Sequence, residues 1–259
     1  MTDVKIYVAT HKRYDYLLKI PYDYYIPIHC GKDIYVEENN GKYLPELGDN
    51  TGENISKKNP YYCELTGLYW IWKNDKSKPD DIVGLNHYRR YFSEECEKAD
   101  KFLTKETILE WMKDWDFIVN GCDTQTDNTA SDDESVYNAY KGCHVINDLD
   151  ITLEGIKKLF PQISDKLVHE VMHSGAMCLC NLFITKKKFL DEYCEFLFPT
   201  FEYVESRIDL NDTEHQGYNQ RVFGFLAERL FRPWLKATGH TGKVGPALKW
   251  EEYSGYEWE

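Results

Sequence analysis

The chain contains no C-x-x-C pair: its eight cysteines stand at 30, 63, 96, 122, 143, 178, 180 and 194, most within apolar segments. That argues against a disulfide framework or a thiolate metal site and predicts reduced core thiols. No run of about 18 apolar residues is present, so no segment reads as a membrane span. The start, Met1-Thr2-Asp3-Val4-Lys5-Ile6-Tyr7, lacks the basic stretch and long apolar run of a secretion signal, and a cytoplasmic protein is expected. Positive charge is scarce, with 31 Lys and Arg against 44 Asp and Glu and a net charge of −13. Such a balance opposes a nucleic-acid backbone and gives no general attraction to anionic lipid, which leaves at most peripheral membrane contact. Any basic pocket must therefore be local. What the chain does have is 42% apolar and 15% aromatic residues over 259 positions, enough for one large core.

Strand and helix signals alternate. Lys5–Ala9 reads as a first strand ending at Thr10-His11-Lys12, and Tyr24–His29 as a second before Cys30-Gly31. A helix is expected from Asn59 as cap and Pro60 in its first turn to about Lys73, with Leu65, Leu68, Tyr69 and Trp72 on one face. Further strands are expected at 81–86, 116–120 and 176–185, with helices over 108–115 and from Asp150 to Pro161. Two more helices follow, one disturbed at Pro199 and one ending near Pro233. The polar stretch 121–135, with Asp123, Asp127, Asp132 and Asp133, reads as an exposed acidic loop. These elements predict an α/β fold with a mixed central sheet and a largely helical C-terminal part. One domain is expected over 1–238, with 239–259 as a loosely docked extension.

The densest chemistry lies at Asp81-Ile82-Val83-Gly84-Leu85-Asn86-His87-Tyr88-Arg89-Arg90-Tyr91-Phe92, where an apolar run ends abruptly in a histidine, two arginines and aromatics. In an open α/β sheet, ligands bind at the carboxyl ends of strands. Two adjacent guanidiniums there can grip a diphosphate through forked, permanently charged hydrogen bonds, or they can be solvated or paired with structural carboxylates. His11 and Lys12 end the first strand in the same manner. The loop 49–54, with two glycines and Asn54, is open to a sugar-binding role or to a plain turn.

Two spelled motifs compete. His169-Glu170-Val171-Met172-His173 is an H-E-x-x-H that on a helix would set two imidazoles toward zinc, with Glu170 as base and Glu192 or Glu195 as a distant third ligand. Ala176 and Leu179 replace the glycine and histidine that the extended metalloprotease motif requires. Asp148-x-Asp150 could hold a divalent cation, Mg or Mn, although Asp150 is also placed to cap the following helix. Asp148 is the leading candidate for a general base, with Asp212 and Glu214 behind it.

Several blocks together resemble a known family. They are Ile6-Tyr7-Val8-Ala9-Thr10-His11-Lys12, Gly52-Glu53-Asn54-Ile55-Ser56, Tyr62-Cys63-Glu64-Leu65-Thr66 with Tyr69-Trp70, and Gly84 to Phe92. Asn181-Leu182-Phe183-Ile184, Tyr193-Cys194 and Arg221 to Leu230 continue them, so the match spans nearly the whole chain. They resemble a bacterial family, a domain of formerly unknown function, encoded in capsule and exopolysaccharide loci. The resemblance implies a GT-A-like glycosyltransferase with a UDP-sugar donor, galactosyl or galactofuranosyl transfer, and a growing, lipid-linked glycan as acceptor at the inner face of the membrane. On that reading we expect donor contacts at Thr10, His11, Lys12, Asn54, His87, Arg89 and Arg90 and a proton acceptor at Asp148. Where such folds usually carry a metal-binding D-x-D after an internal strand, this chain has His87-Tyr88-Arg89-Arg90. No cofactor is therefore firmly expected, and the arginines could take a cation's electrostatic role. A non-catalytic subunit that binds nucleotide or glycan is the further alternative.

Overall fold

The alternation of apolar residues along the strands assigns them to two faces of one sheet. The structure, a computed structural model, describes residues 2–11, 20–38, 47–94, 102–121 and 134–249. Lys12 and most of the 121–135 loop, including Asp123, Asp127, Asp132 and Asp133, lie outside the described residues. The strands are β1 (Val4–Thr10), β2 (Tyr25–His29), β3 (Ile82–His87), β4 (Arg90–Phe92), β5 (Phe117–Val119), β6 (Phe183–Lys186), β7 (Gly242–Val244) and β8 (Ala247–Lys249). Eight strands form a mixed sheet in the order β2-β1-β3-β6-β5-β7, with β4 pairing β3 and β8. β2, β1 and β3 run parallel, whereas β6 is antiparallel to both β3 and β5.

The helices are α1 (Lys32–Glu38), α2 (Asn59–Tyr62), α3 (Leu65–Asn74), α4 (Lys105–Asp114), α5 (Val136–Cys143), α6 (Ile146–Leu159), α7 (Pro161–His173), α8 (Lys187–Glu205) and α9 (Val222–Thr238). Tyr7, Ala9, Val83, Leu85, Phe117 and Phe183 face the larger core, which they share with α3 and with α5 to α9. Val4, Ile6, Val8, Ile82, Ile118 and Ile184 face a smaller core that includes Ile108 and Met112 of α4. The period-two switch between these sets is what a strand buried on both faces requires. Gly84 is tightly packed between its neighbouring strands; a Cβ there would lie 2.8 Å from Ile184 Cγ1 and 3.0 Å from Phe183 O, both on β6.

Four expectations need correction. The helix from Asn59 is interrupted: α2 ends at Tyr62, Cys63 adopts φ 52° and ψ −132°, and α3 begins at Leu65. As expected, α6 stops just before Pro161, with Leu159 its last residue and Phe160 its C-cap, and Pro161 also opens α7, as proline's missing N–H permits at a first-turn position. Pro199 lies inside α8, and Pro233 does not end α9 but lies inside it. Burial of Trp234, Leu235 and Ala237 carries α9 past Pro233 to a left-handed C-cap at Gly239. The strand expected from 176 is confined to β6, because Cys180 and Asn181 take φ of 65° and 50°. Finally, residues beyond 238 do not form a separate extension throughout: β7 pairs with β5 and β8 with β4 in the central sheet.

Candidate active site

The three parallel strands end side by side, and their exits form one floor. Thr10 lies in register with His29, and Ala9 with His87. Backbone bonds continue the pairing into the turns, Cys30 N to Thr10 O at 2.8 Å and Tyr88 N to Ala9 O at 2.9 Å. Above this floor opens a cleft of about 640 Å³. From the strand ends come Thr10, His11, His87, Tyr88 and Arg89; from α1, Tyr35; from the α2–α3 break, Cys63 and Glu64. A 3-10 turn, Gly217–Arg221, completes the lining with Gln220 and Arg221, the latter beside Cys63.

Local rules explain why this lining has this shape. Gly31, at φ +71°, follows β2, and a Cβ there would lie 2.7 Å from Asn59 Cγ. Glycine thus permits both the left-handed turn and the approach of α2. Asn59 Nδ2 donates to Cys63 O at 2.7 Å and to Thr66 Oγ1 at 3.1 Å, which holds the break between α2 and α3 closed. Cys63 at positive φ stores strain of about 1–3 kcal/mol, typical of a site whose surroundings over-determine it. Its thiol is pushed up to about 12, by burial first and then by Glu64, against the opposing pull of Arg221. Arg221 Nε donates to Cys63 Sγ at 3.2 Å, so the sulfur is a neutral contact for the guanidinium.

Electrostatically the cleft is a basic pocket in an acidic chain. Arg89 lies over the Tyr88 ring at 4.9 Å, and the His11 ring meets the Tyr88 ring edge-on at 5.3 Å. Burial, then the charges of Arg89 and Arg90, hold His87 well below the ordinary histidine value, so its imidazole is neutral at pH 7. Glu64 contributes the one carboxylate among the described lining residues. Burial raises its pKa, opposed by the hydrogen bond that Asn181 Nδ2 donates to Oε1 at 2.8 Å. Two guanidiniums flanked by aromatic rings suit a ligand that carries phosphate and a planar base.

The candidates from sequence divide sharply. Thr10, His11, His87 and Arg89 line this cleft, whereas Arg90 is the first residue of β4, paired through its Cα with His87, and does not. Asn54 does not line it either. Its Nδ2 donates to Gly52 O at 3.0 Å and its Oδ1 accepts from Ser56 N at 3.2 Å, so it shapes its own loop. Asp148 and Asp150 lie within α6 rather than before it, because that helix begins at Ile146. Two positions apart on a helix they point to different sides: Asp148 is buried, and Asp150 is exposed and accepts from Tyr137 Oη at 2.9 Å. They cannot share one cation. Asp148 is instead held by His215 Nε2, 3.0 Å from each carboxylate oxygen, while His215 Nδ1 lies 2.8 Å from Asp212 Oδ1. This Asp148-His215-Asp212 cluster ties the segment before Arg221 to α6, and it does not line the cleft. Glu214 lies beside a separate polar hollow, with its N–H donated to Asp212 at 2.9 Å.

The H-E-x-x-H also resolves into structure. His169 and His173 share an exposed face of α7 with ring centroids 4.7 Å apart, but Glu170 Oε2 accepts from the fully buried Arg232 at 2.9 Å. Glu192 is drawn off to His240 at 3.2 Å. Among the described residues no group of three His, Cys, Asp or Glu side chains is arranged to hold a metal ion. Sequence reasoning passed over Glu64, Arg221 and Tyr35 as site residues. Glu64 and Arg221 both stand in the blocks that carry the family resemblance, a usable signal, whereas nothing marked Tyr35.

A family model described as a domain of unknown function, DUF4422, matches residues 5–239. The chain belongs to that family. Among solved structures, the apo structure of the bifunctional glycosyltransferase WbbM matches it with a TM-score of 0.76 and 26% identity. The match covers 96% of this chain and 45% of WbbM, so the family domain spans less than half the length of that protein. No curated protein matches the chain. The likeness supports a single GT-A-like α/β domain. No helix of the described residues is long and apolar enough to cross a membrane.

Proposed function

We propose that the domain is a glycosyltransferase that takes a nucleotide-sugar donor in the cleft above β2, β1 and β3. The observation that carries this reading is that Arg89 and Arg221, distant in the chain, line one cleft at the carboxyl ends of parallel strands. The likeness to WbbM supports the same reaction class. The base and ribose of a uridine nucleotide would lie toward Thr10, His11 and Tyr35, with Lys12 following in the chain. The diphosphate would lie between Arg89 and Arg221, with Arg90 adding charge behind His87. Transfer is a displacement at the anomeric carbon, in which the guanidiniums stabilise the departing diphosphate. The proposed donor sugar is galactose or galactofuranose, and the proposed acceptor is a hydroxyl of a growing, lipid-linked glycan at the inner face of the membrane. Mg or Mn, if used, would be held chiefly by the diphosphate, because the described lining offers Glu64 alone as a carboxylate.

Calorimetric titration of metal-stripped protein with UDP and UDP-galactose, repeated with Mg or Mn, tests the reading. Metal-free binding of UDP supports the arginine clamp, and binding only with metal assigns the phosphate charge to a cation. No binding under either condition would overturn the assignment of the cleft.

A further inference from the structure

The cleft holds a group that donor binding does not call for. Without a bridging cation a diphosphate is repelled by a carboxylate, yet Glu64 lines the same cavity as Arg89 and Arg221. It stands on the break between α2 and α3, where Cys63 is held at positive φ, and its Oε1 is fixed by Asn181 Nδ2 at 2.8 Å. Asn181 is itself buried and held in the left-handed region, at φ 50°, and its Nδ2 also reaches Gly224 O at 3.3 Å. Its neighbour Cys180, at φ 65°, donates its N–H to Glu228 Oε1 at 2.6 Å. Two adjacent non-glycine residues in that region are costly, and here both bonds end on carboxylates next to the cleft. An arrangement of this kind fixes a carboxylate's orientation, a requirement of proton transfer that simple charge neutralisation does not share.

Resting on the glycosyltransferase reading, we propose that Glu64 is the catalytic base of the domain, accepting the proton of the attacking hydroxyl. In this step the acceptor oxygen forms its bond to the anomeric carbon as the bond from that carbon to the diphosphate oxygen breaks. The hydroxyl proton passes to the Glu64 carboxylate. The electron pair of the broken bond leaves with the nucleoside diphosphate, whose charge Arg89 and Arg221 hold. The groups facing Glu64 are Asn181, Arg221, Glu228, Cys63, Cys30 and Cys180. Burial and Glu228 raise its pKa, whereas Asn181 and Arg221 lower it, and the net displacement is upward. A carboxyl raised in this way is a stronger base once ionised than an ordinary glutamate.

The test is the Glu64→Gln variant of the full chain, with UDP as the binding probe and UDP release from UDP-galactose, water serving as acceptor, as the turnover probe. Glutamine keeps an oxygen for Asn181, so the wall is retained. The expected result is a fall in kcat of about 100-fold or more with a UDP Kd within about threefold of the wild type. The acid limb of the wild-type pH profile, set above the usual carboxylate range, should vanish in the variant. Glu64→Asp should retain that limb at reduced kcat, and it serves as the second variant if glutamine impairs folding. Unchanged turnover would overturn the assignment, as would parallel losses of UDP affinity and kcat, the sign of a residue that only positions Arg221. Wild-type protein that binds UDP but releases none from either UDP-galactose or UDP-galactofuranose would also overturn it, since a poised base activates water. Wild-type protein that fails to bind UDP would instead sink the glycosyltransferase reading.

Discussion

Replacing Asp148 with alanine separates a structural anchor from a catalytic base. The Asp148 and His215 side chains are 2% and 4% exposed, and the imidazole lies between two carboxylates. A neutral imidazole donates from one nitrogen only, so bridging both requires the imidazolium. Burial by itself would lower the His215 pKa; Asp148 and then Asp212 outweigh it, and the net displacement is upward. Because the folded value lies above the unfolded one of about 6.5, this stabilisation is complete below that pH and lost as pH rises through the folded value. Removing one partner of a buried pair costs about 3–5 kcal/mol, and the lower end applies because Asp212 remains. At about 2 °C per kcal/mol for a domain of this size, Asp148→Ala should melt about 6 °C below the wild type at about pH 6. The gap should narrow toward about pH 9, as the wild type loses the same interaction. Differential scanning calorimetry at the two pH values reads both effects. Melting within about 1 °C of the wild type at the lower pH, or a gap that widens with pH, would refute the anchor.

Two further outcomes follow from the same contacts. Glu170→Ala removes the Glu170 carboxylate from the buried Arg232 guanidinium, which also donates to Ser174 Oγ at 3.1 Å. A loss of about 2–3 kcal/mol, or about 4–6 °C in melting temperature, is expected. A zinc enzyme would instead keep its melting temperature and change its bound zinc, measured by elemental mass spectrometry. Arg89→Ala and Arg221→Ala should each weaken UDP binding by roughly 10- to 150-fold in calorimetry, the worth of a charge-assisted bond of about 1.5–3 kcal/mol. Arg221→Lys should recover only part of that loss, because the fork geometry is gone; undiminished affinity in either alanine variant would remove that residue from the clamp.

Much of the framework was legible because it depends on short-range order. The apolar run at 82–87 and the alternation in β1 required buried strands whatever their neighbours, and the polar stop at His87 marked the mouth of a cleft. The misreadings arose where long-range packing overrode local preference. Asp148-x-Asp150 looked like a loop pair because aspartates cap helices. α6 starts four residues before Asp150 without any side-chain cap, so its start follows from burial and not from a capping signal. H-E-x-x-H had the right period for zinc, but periodicity carries no information about the guanidinium 62 positions away that claims Glu170.

The sequence by itself determined the α/β class, the strand ends bearing Thr10, His11, His87 and Arg89, and the acidic background against which a basic pocket stands out. Composition, charge and strand periodicity are properties of neighbouring residues, so they survive without coordinates. Only the tertiary structure decided that Arg221 joins Arg89 in the cleft and that Glu64 enters it through a strained break. It also decided that Asp148 is consumed by His215. Each of these joins residues separated by dozens to well over a hundred positions, and which partner satisfies a buried charge is settled by packing, to which local sequence is blind.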